Sequence, residues 1–448
     1  MVGRFTRRAL LVLVCVGAWA APAHAVKVER VTSPAGIEAW LVEDHTVPVV
    51  SLDFVFRAGA AIDPDGKEGL SRLAASLLDE AAGDLPSQEF QRRLEDLVSE
   101  IGFSATLDAV SGSLKSLKQN LAPTADLLRL AMMAPRFDAP DIERLRTQLQ
   151  VSLAREAEEP HAMAQRAWFR AAFPLHPYGR GSRGTAAGLA NVTVDDLKAW
   201  VPEHLTRDLL VIGASGDITA AELAPLLDHV FGGLPQTANR PVVPDAVPAD
   251  PGGLTLIERQ LPQSVVLFGK SGIKRSDPDY YAAYILNHIL GGGSFSSRLM
   301  DEVREKRGLA YSVSSSLAIL DHTALMQAQT ATKNASVEEA VKLVRAEWAR
   351  LAKSGPTLEE LANAKTYLTG SFPLQLDSTG RIASILVSIQ VDHLGIDYLD
   401  RRNGLLESVT LEQAQRVAQR LFDPMPLSIV VVGPPGELKA TRPVPSGG

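Results

Sequence analysis

Along this chain the spacing of apolar positions switches back and forth between a period of two and a period of about 3.6, the marks of strand and helix. Val49-Val-Ser-Leu-Asp-Phe-Val-Phe-Arg-Ala-Gly59 alternates as a strand and leads through Asp63-Pro-Asp65 into a helical stretch over Glu68 to Ala81. Ser87 reads as the cap of a second helix ending at Gly102, and Phe103 to Leu117 as a hairpin turning near Gly112. Thr124 to Ala134 gives a short helix, and Ile142 to Phe173 is mainly helical, with a break expected at Pro160. The same order then returns. Val265-Val-Leu-Phe-Gly-Lys-Ser-Gly272 leads through Asp277-Pro-Asp279 into a helix, as the first strand did. Asn191-Val-Thr-Val-Asp-Asp196 precedes a helix and the strand Leu209 to Gly213. Ser408-Val-Thr-Leu-Glu-Gln413 likewise precedes a helix and the strand Ser428 to Gly433. Thr193 and Thr410 sit as N-caps, the latter with Gln413 as a capping box. Ser336 with Glu339 and Thr357 with Glu360 predict further boxes.

Two matched pairs in the same order, at a nearly constant offset, imply a duplication. The predicted class is α+β: two copies of one domain, each a mainly antiparallel sheet with helices packed on one face. The copies span 26–235 and 254–437. A Pro-, Ala- and Asp-rich stretch over 236–253 reads as an exposed linker between them, and 438–448 as a tail.

Composition narrows the class further. With 46% hydrophobic and 22% charged residues the chain is ordinary for a globular protein, and its net charge of −7 argues against nucleic acid as the main partner. Arg4, Arg7 and Arg8, the apolar run Leu10 to Ala20 and the small residues at Ala23-His-Ala25 identify Met1–Ala25 as a targeting segment, removed on export. General secretion fits its strongly apolar core better than the twin-Arg route that Arg7-Arg8 hints at. The one cysteine, Cys15, lies inside that segment, so the mature chain is expected to have neither disulfide nor thiolate chemistry. A bacterial periplasmic protein is the simplest account. No other apolar run approaches the length of a membrane span.

Candidate chemistry gathers in Arg298-Leu-Met-Asp-Glu-Val-Arg-Glu-Lys-Arg-Gly-Leu-Ala-Tyr-Ser-Val313. Met300 to Arg307 reads as a helix end, Gly308 as its stop, and Leu309 to Leu320 as a strand. On an unbroken helix Arg304 and Tyr311 would stand roughly 10 Å apart along the axis. A helix–Gly–strand corner can instead bring guanidinium and phenol to one patch, suited to gripping a carbonyl and steadying negative charge on it. A salt-bridged helix end followed by a half-buried Tyr fits the same residue types. Just before, Gly291-Gly292-Gly293-Ser294 lacks the Lys and the spacing of a phosphate loop and follows a helix. It reads as a turn beside a substrate cavity, where close backbone approach requires Gly. His176, in Phe173-Pro-Leu-His-Pro-Tyr-Gly179, has no partner at ligand spacing and reads as a loop residue.

Ser297 to Ser312 resembles the second-domain signature of the pitrilysin/insulinase family of zinc peptidases, which includes mitochondrial processing peptidase. The resemblance implies that Arg304 and Tyr311 hold the substrate and assist the tetrahedral intermediate at a zinc site on another domain or subunit. That family carries zinc on an inverted His-x-x-Glu-His in its first helix. The matching positions here are Arg72, Leu73, Ala74, Ala75 and Ser76, so both His and the Glu are replaced. The third ligand would fall near Gln150 to Leu153, where no carboxylate stands. The resemblance therefore implies a chain that binds no zinc itself and pairs with a zinc-bearing homologous subunit. Together they would degrade or process unfolded peptides, this chain supplying Arg304 and Tyr311 in trans. A catalytically inactive peptide-binding or scaffold protein of the same fold is the alternative.

Overall fold

Each half of the chain builds one sheet, and the two sheets repeat a single strand plan. The computed structural model describes residues 27–423, 427–434 and 436–445. The expected targeting segment Met1–Ala25, with Cys15, lies outside the described residues, as do residues 446–448 of the expected tail.

The first half begins with β1 (Glu29–Thr32), β2 (Glu38–Glu43), β3 (Val49–Phe56), α1 (Leu70–Leu78), α2 (Ser87–Asp96), β4 (Glu100–Ala105) and β5 (Val110–Leu117). It continues with α3 (Leu121–Met133), α4 (Ala139–Glu158), α5 (Pro160–Ala172), α6 (Ala186–Asn191), α7 (Val194–His204), β6 (Leu210–Gly216) and α8 (Ala220–Phe231). The second half holds β7 (Gly253–Glu258), β8 (Gln263–Ser271), α9 (Tyr280–Asn287), β9 (Ala310–Leu320), β10 (Thr323–Lys333) and α10 (Val337–Ser354). After these come α11 (Leu358–Gly370), α12 (Thr379–Val391), α13 (Tyr398–Glu407), α14 (Leu411–Phe422) and β11 (Ser428–Gly433).

The strand orders are β1-β2-β6-β3-β5-β4 and β7-β11-β8-β10-β9. With β1 set aside they correspond strand for strand. In both sheets the last strand of the half pairs parallel to the first (β6 to β2, β11 to β7), and every other pairing is antiparallel. The fold is thus the expected α+β duplication.

Each half packs its own helices on one face of its sheet. Val50, Leu52, Phe54 and Phe56 of β3 face the first core, and Val266 and Phe268 of β8 face the second. The other face of each sheet takes one helix from the other half. Trp168 and Ala167 of α5 pack on Val265, Leu267, Val430 and Val432 of the second sheet. Ile382, Leu386 and Ile389 of α12 pack on Trp40 and Val42 of the first. Both seams require a glycine: a Cβ on Gly269 would stand 2.4 Å from the Trp168 ring, and one on Gly213 would stand 2.2 Å from the Ala383 carbonyl oxygen.

Local signals were met unevenly. Thr193 and Thr357 close full capping boxes with Asp196 and Glu360. Thr410 accepts from the Gln413 amide without the return bond. Glu159 breaks the helix at Pro160 and caps α5 by accepting from the amides of His161 and Ala162. Ser87 is not a cap. Pro86 takes the extended cap conformation, and the Ser87 hydroxyl donates to Glu80 at 2.9 Å. The helix it begins stops at Asp96 rather than Gly102, because Val98 turns to positive φ and Glu100 enters β4. The hairpin turns at Thr106–Ala109 rather than near Gly112, which lies in β5 pressed against the Phe54 ring. Ser336 sits in a 3-10 turn with ψ near zero, so its hydroxyl does not reach the helix amides.

The linker is irregular but pinned, with Ala246 and Ala249 donating to the carbonyls of His322 and Ala172 at 2.9 and 2.8 Å. Thr441 and Arg442 of the tail donate to the Leu254 carbonyl, so this segment lies along β7. Among the described residues, no helix is long and apolar enough to cross a membrane.

Candidate functional site

Between α9 and β9 the chain runs through two wide π-type turns, His288–Gly292 and Met300–Glu305. The second of these replaces the regular helix end expected over Met300 to Arg307. The Lys306 amide reaches back five residues to the Asp301 carbonyl at 2.9 Å, and the Leu309 amide reaches the Val303 carbonyl at 3.0 Å. Gly308 then takes φ +61, the left-handed stop its position implies. Val303 and Leu299 anchor the turn in the second core, leaving Arg304 half-buried at the surface.

Past the glycine, β9 carries a bulge. Val313 pairs with Thr330 and Ala310 with Thr332, so Tyr311 and Ser312 together oppose Ala331 alone. Such a bulge re-aims side chains. Here Ala310 and Val313 are buried while Tyr311 is 83% exposed. The corner brings the pair together: the Arg304 guanidinium carbon lies 5.0 Å from the Tyr311 ring centroid. Phe295, 64% exposed, supports Arg304 from another side at 4.7 Å. Arg304 is thus held by two aromatic faces, with only a loose ion pair to Glu305 at 3.6 Å. Among the described residues the Tyr311 hydroxyl and the Arg304 guanidinium form no hydrogen bond within the chain. Their donors remain unspent.

The glycine turn lies against the same strand. A Cβ on Gly291 would stand 2.6 Å from the Ser315 amide nitrogen, so only glycine permits this approach. Ser315 donates to the Asn287 side chain at 2.8 Å and ties the turn to β9. Gly292 and Gly293 close on the Asn287 amide and the His288 carbonyl, and Ser294 takes φ +51. Ser294 offers its carbonyl to the Ser297 hydroxyl at 2.7 Å, and Phe295 follows directly. The sequence places Phe295 beside the glycines, but nothing local indicates its contact with Arg304.

The positions matching the metal motif lie elsewhere, on α1 of the first half. Ala75 is fully buried, and the Ser76 hydroxyl donates to the Arg72 carbonyl at 2.9 Å. The Arg72 guanidinium approaches Ser152 at 3.4 Å and the Arg183 carbonyl at 3.3 Å. Ser152 stands in the stretch where the third ligand would fall, and it donates to Glu156, which also pairs with Arg183. Burial pulls the Arg72 guanidinium below its ordinary value, Glu156 opposing and Arg183 adding to the shift. A cation and its hydrogen-bonded neighbours therefore occupy these positions, a donor set that repels a metal ion. Among the described residues no group of three or more His, Cys, Asp or Glu side chains could hold one. His176 is a loop residue: its ring meets the Pro244 carbonyl at 2.9 Å and accepts from the Tyr178 amide at 3.2 Å. Arg72, Ala75 and Ser76 share no hydrogen bond or ion pair with the Arg304 corner among the described residues.

Residues 191–368 match the peptidase M16 inactive domain. A crystal structure of a peptidase M16 inactive domain from Pseudomonas fluorescens superposes with a TM-score of 0.84 and 27% identity, covering 93% of this chain and 100% of that one. Over most of its length the chain is similar to members of the M16 peptidase family. The chain is also 26% identical over 338 residues to the non-peptidase homolog YmxG of Helicobacter pylori, covering 74% of this chain and 77% of the relative. It is 26% identical over 335 residues to the mitochondrial-processing peptidase subunit beta of Blastocladiella emersonii, covering 71% and 70%. The family is the one whose signature Ser297 to Ser312 resembles. With Arg72, Ala75 and Ser76 at the motif positions, α1 supplies no ligand and holds no catalytic zinc.

Proposed function

We propose that this chain is the metal-free partner in a two-chain M16 metallopeptidase that degrades or processes unfolded peptides. In this reading Arg304 and Tyr311 serve a zinc site carried by a homologous second chain. The Tyr311 hydroxyl donates to the oxyanion that forms on the attacked carbonyl, and Arg304 holds the peptide backbone beside it. One observation carries the reading: an Arg fork and a phenol, positioned by Phe295, a bulge and a left-handed glycine, make no hydrogen bond among the described residues. The Blastocladiella relative is by name one subunit of a processing peptidase, which supports a divided site. After export and removal of Met1–Ala25, the chain works in the bacterial periplasm, where its N-terminus should be found at Val26 by sequencing.

Its test is to assay unstructured peptides with the mature chain alone, with a His-x-x-Glu-His homologue alone, and with both. Cleavage that rises sharply only in the mixture supports the proposal. Cleavage by the zinc-bearing chain that this chain does not change overturns it. The Helicobacter relative's name, a non-peptidase homolog, favours a second reading, a peptide-binding or scaffold protein without catalytic duty. Peptide binding with no rate effect in the mixture selects that reading.

A further inference from the structure

We propose that a cavity beside α5 binds a peptide carboxylate between Arg166 and Arg170. The cavity measures about 480 Å³ and lies between the end of α4, the outer side of α5 and the loop Gly179–Gly184. That volume falls within the range of ordinary ligand sites. α5 divides its faces cleanly. Met163, Ala164, Ala167 and Trp168 pack towards the second sheet, while Ala162, Arg166, Phe169 and Arg170 line the cavity at helical spacing.

The charges around the cavity are unequally committed. Arg180 pairs with Asp65 at 2.6 Å, and Arg183 pairs with Glu156. Glu159 is spent on the first amides of α5, accepting from His161 at 3.1 Å and Ala162 at 2.6 Å. Arg166 and Arg170 have neither an ion pair nor a hydrogen bond among the described residues, and Nη1 of Arg170 is buried without a partner. Burial, and then the neighbouring Arg166, pull the Arg170 guanidinium below its ordinary value. Two guanidiniums one helical turn apart repel each other, and a buried donor without an acceptor costs free energy. Both debts are cleared by one ligand, a carboxylate that accepts from the two forks. Leu107, Leu153 and Phe169 supply apolar wall for the rest of a peptide segment. A cationic cavity in a chain of net charge −7 also stands out as a local field for an anion.

The carboxylate can come from an acidic side chain or from a free C-terminus. This inference rests on the reading that the chain holds peptides, but its test needs neither the second chain nor turnover. Fluorescein-labelled unstructured peptides are titrated with the mature chain: one with a central Glu and an amidated C-terminus, one with Gln and an amidated C-terminus, and one with Gln and a free C-terminus. The Gln amide peptide should bind at least about tenfold more weakly than at least one of the carboxylate peptides, and that difference should vanish in R166Q/R170Q. R166Q alone, which leaves the Arg170 guanidinium in place, serves if the double variant melts early. Preference for the Glu peptide assigns the side chain, and preference for the free acid assigns the C-terminus. Equal binding of all three peptides, binding of none, or unchanged affinity in the variants overturns the proposal. Binding is read on the isolated chain and turnover only in the mixture with a zinc-bearing homologue, so loss of carboxylate binding and loss of catalytic assistance are separable results.

Discussion

Tyr311 and Arg304 differ in what each spends on the fold. The phenol is exposed and makes no hydrogen bond among the described residues, so Tyr311→Phe removes a donor while leaving the ring that Arg304 packs against. The mixed complex should assemble normally and lose about a hundredfold in kcat, the usual cost of one oxyanion donor. Unchanged turnover in a steady-state assay would remove the catalytic role. Phe295→Ala acts only through Arg304, as a positioning change. It should raise KM by several-fold with a smaller effect on kcat, in line with the modest worth of one cation–π contact. His204 offers a separate test at the same scale. Its ring stacks on Trp200 at 4.5 Å, and burial pushes its pKa from 6.5 down to about 4. Below pH 6.5 the unfolded chain gains a proton that the native chain refuses. The stability His204 contributes is therefore complete above pH 6.5 and is lost as pH falls towards 4, at up to about 1.4 kcal/mol per pH unit. Asp63 works the other way, since burial raises its pKa from 3.8 to about 6, and acidification through that window favours the native state. The gap between the wild type and His204→Gln isolates the histidine. It should shrink steadily from pH 7 to pH 4.5 in urea melts, and a constant gap would refute the assignment.

At the scale of elements, the two seams decide how the halves hold each other. β8 carries the apolar stretch Val265–Phe268 and β11 the stretch Ile429–Val432, and in the fold both strands are covered on both faces. Which helix covers the far face was not legible. α5 follows α4 in sequence yet serves a strand roughly a hundred residues further on, and the long-range choice is made by tertiary packing. The bulge at Tyr311 and the π-type turn at Arg304 escaped for the same kind of reason. The bulge depends on pairing with β10 and the turn on packing against β9 and α10, not on the residues that form them. The caps at Thr193, Thr357 and Thr410 were legible because a hydroxyl and an amide three residues apart settle them locally. The seam itself can be tested with a double-mutant cycle. Gly269→Ala drives a methyl towards the Trp168 ring and should cost about 1–3 kcal/mol, whereas Trp168→Ala empties the site at about 3–5 kcal/mol. In the Trp168→Ala background the Gly269→Ala change should become nearly neutral, because the obstructing ring is gone. Additive costs in chemical denaturation would show that the glycine is required for something other than this contact.

For the molecule as a whole, duplication was the easiest feature to read, since the Asp63-Pro-Asp65 and Asp277-Pro-Asp279 segments return in matching surroundings. The exchange of helices across the copies changes what that duplication means. Neither half finishes its own sheet, because α12 closes the first and α5 closes the second. The same α5 carries Arg166 and Arg170 on its other side, so the proposed carboxylate site is fixed to the body that bears Arg304 through a buried apolar seam. The linker, by contrast, contributes mainly the entropy of closing a loop, a term of a few kcal/mol at most. Cutting it should not separate the halves. A specific protease site placed after Val247, which is 86% exposed, should yield two bands on a denaturing gel. The nicked protein should still elute as one species in native size-exclusion chromatography and keep its affinity for the carboxylate peptide. Separation of the fragments on nicking would mean that the seams are too weak to hold the halves together, and each half would then have to be regarded as a domain able to move on its own.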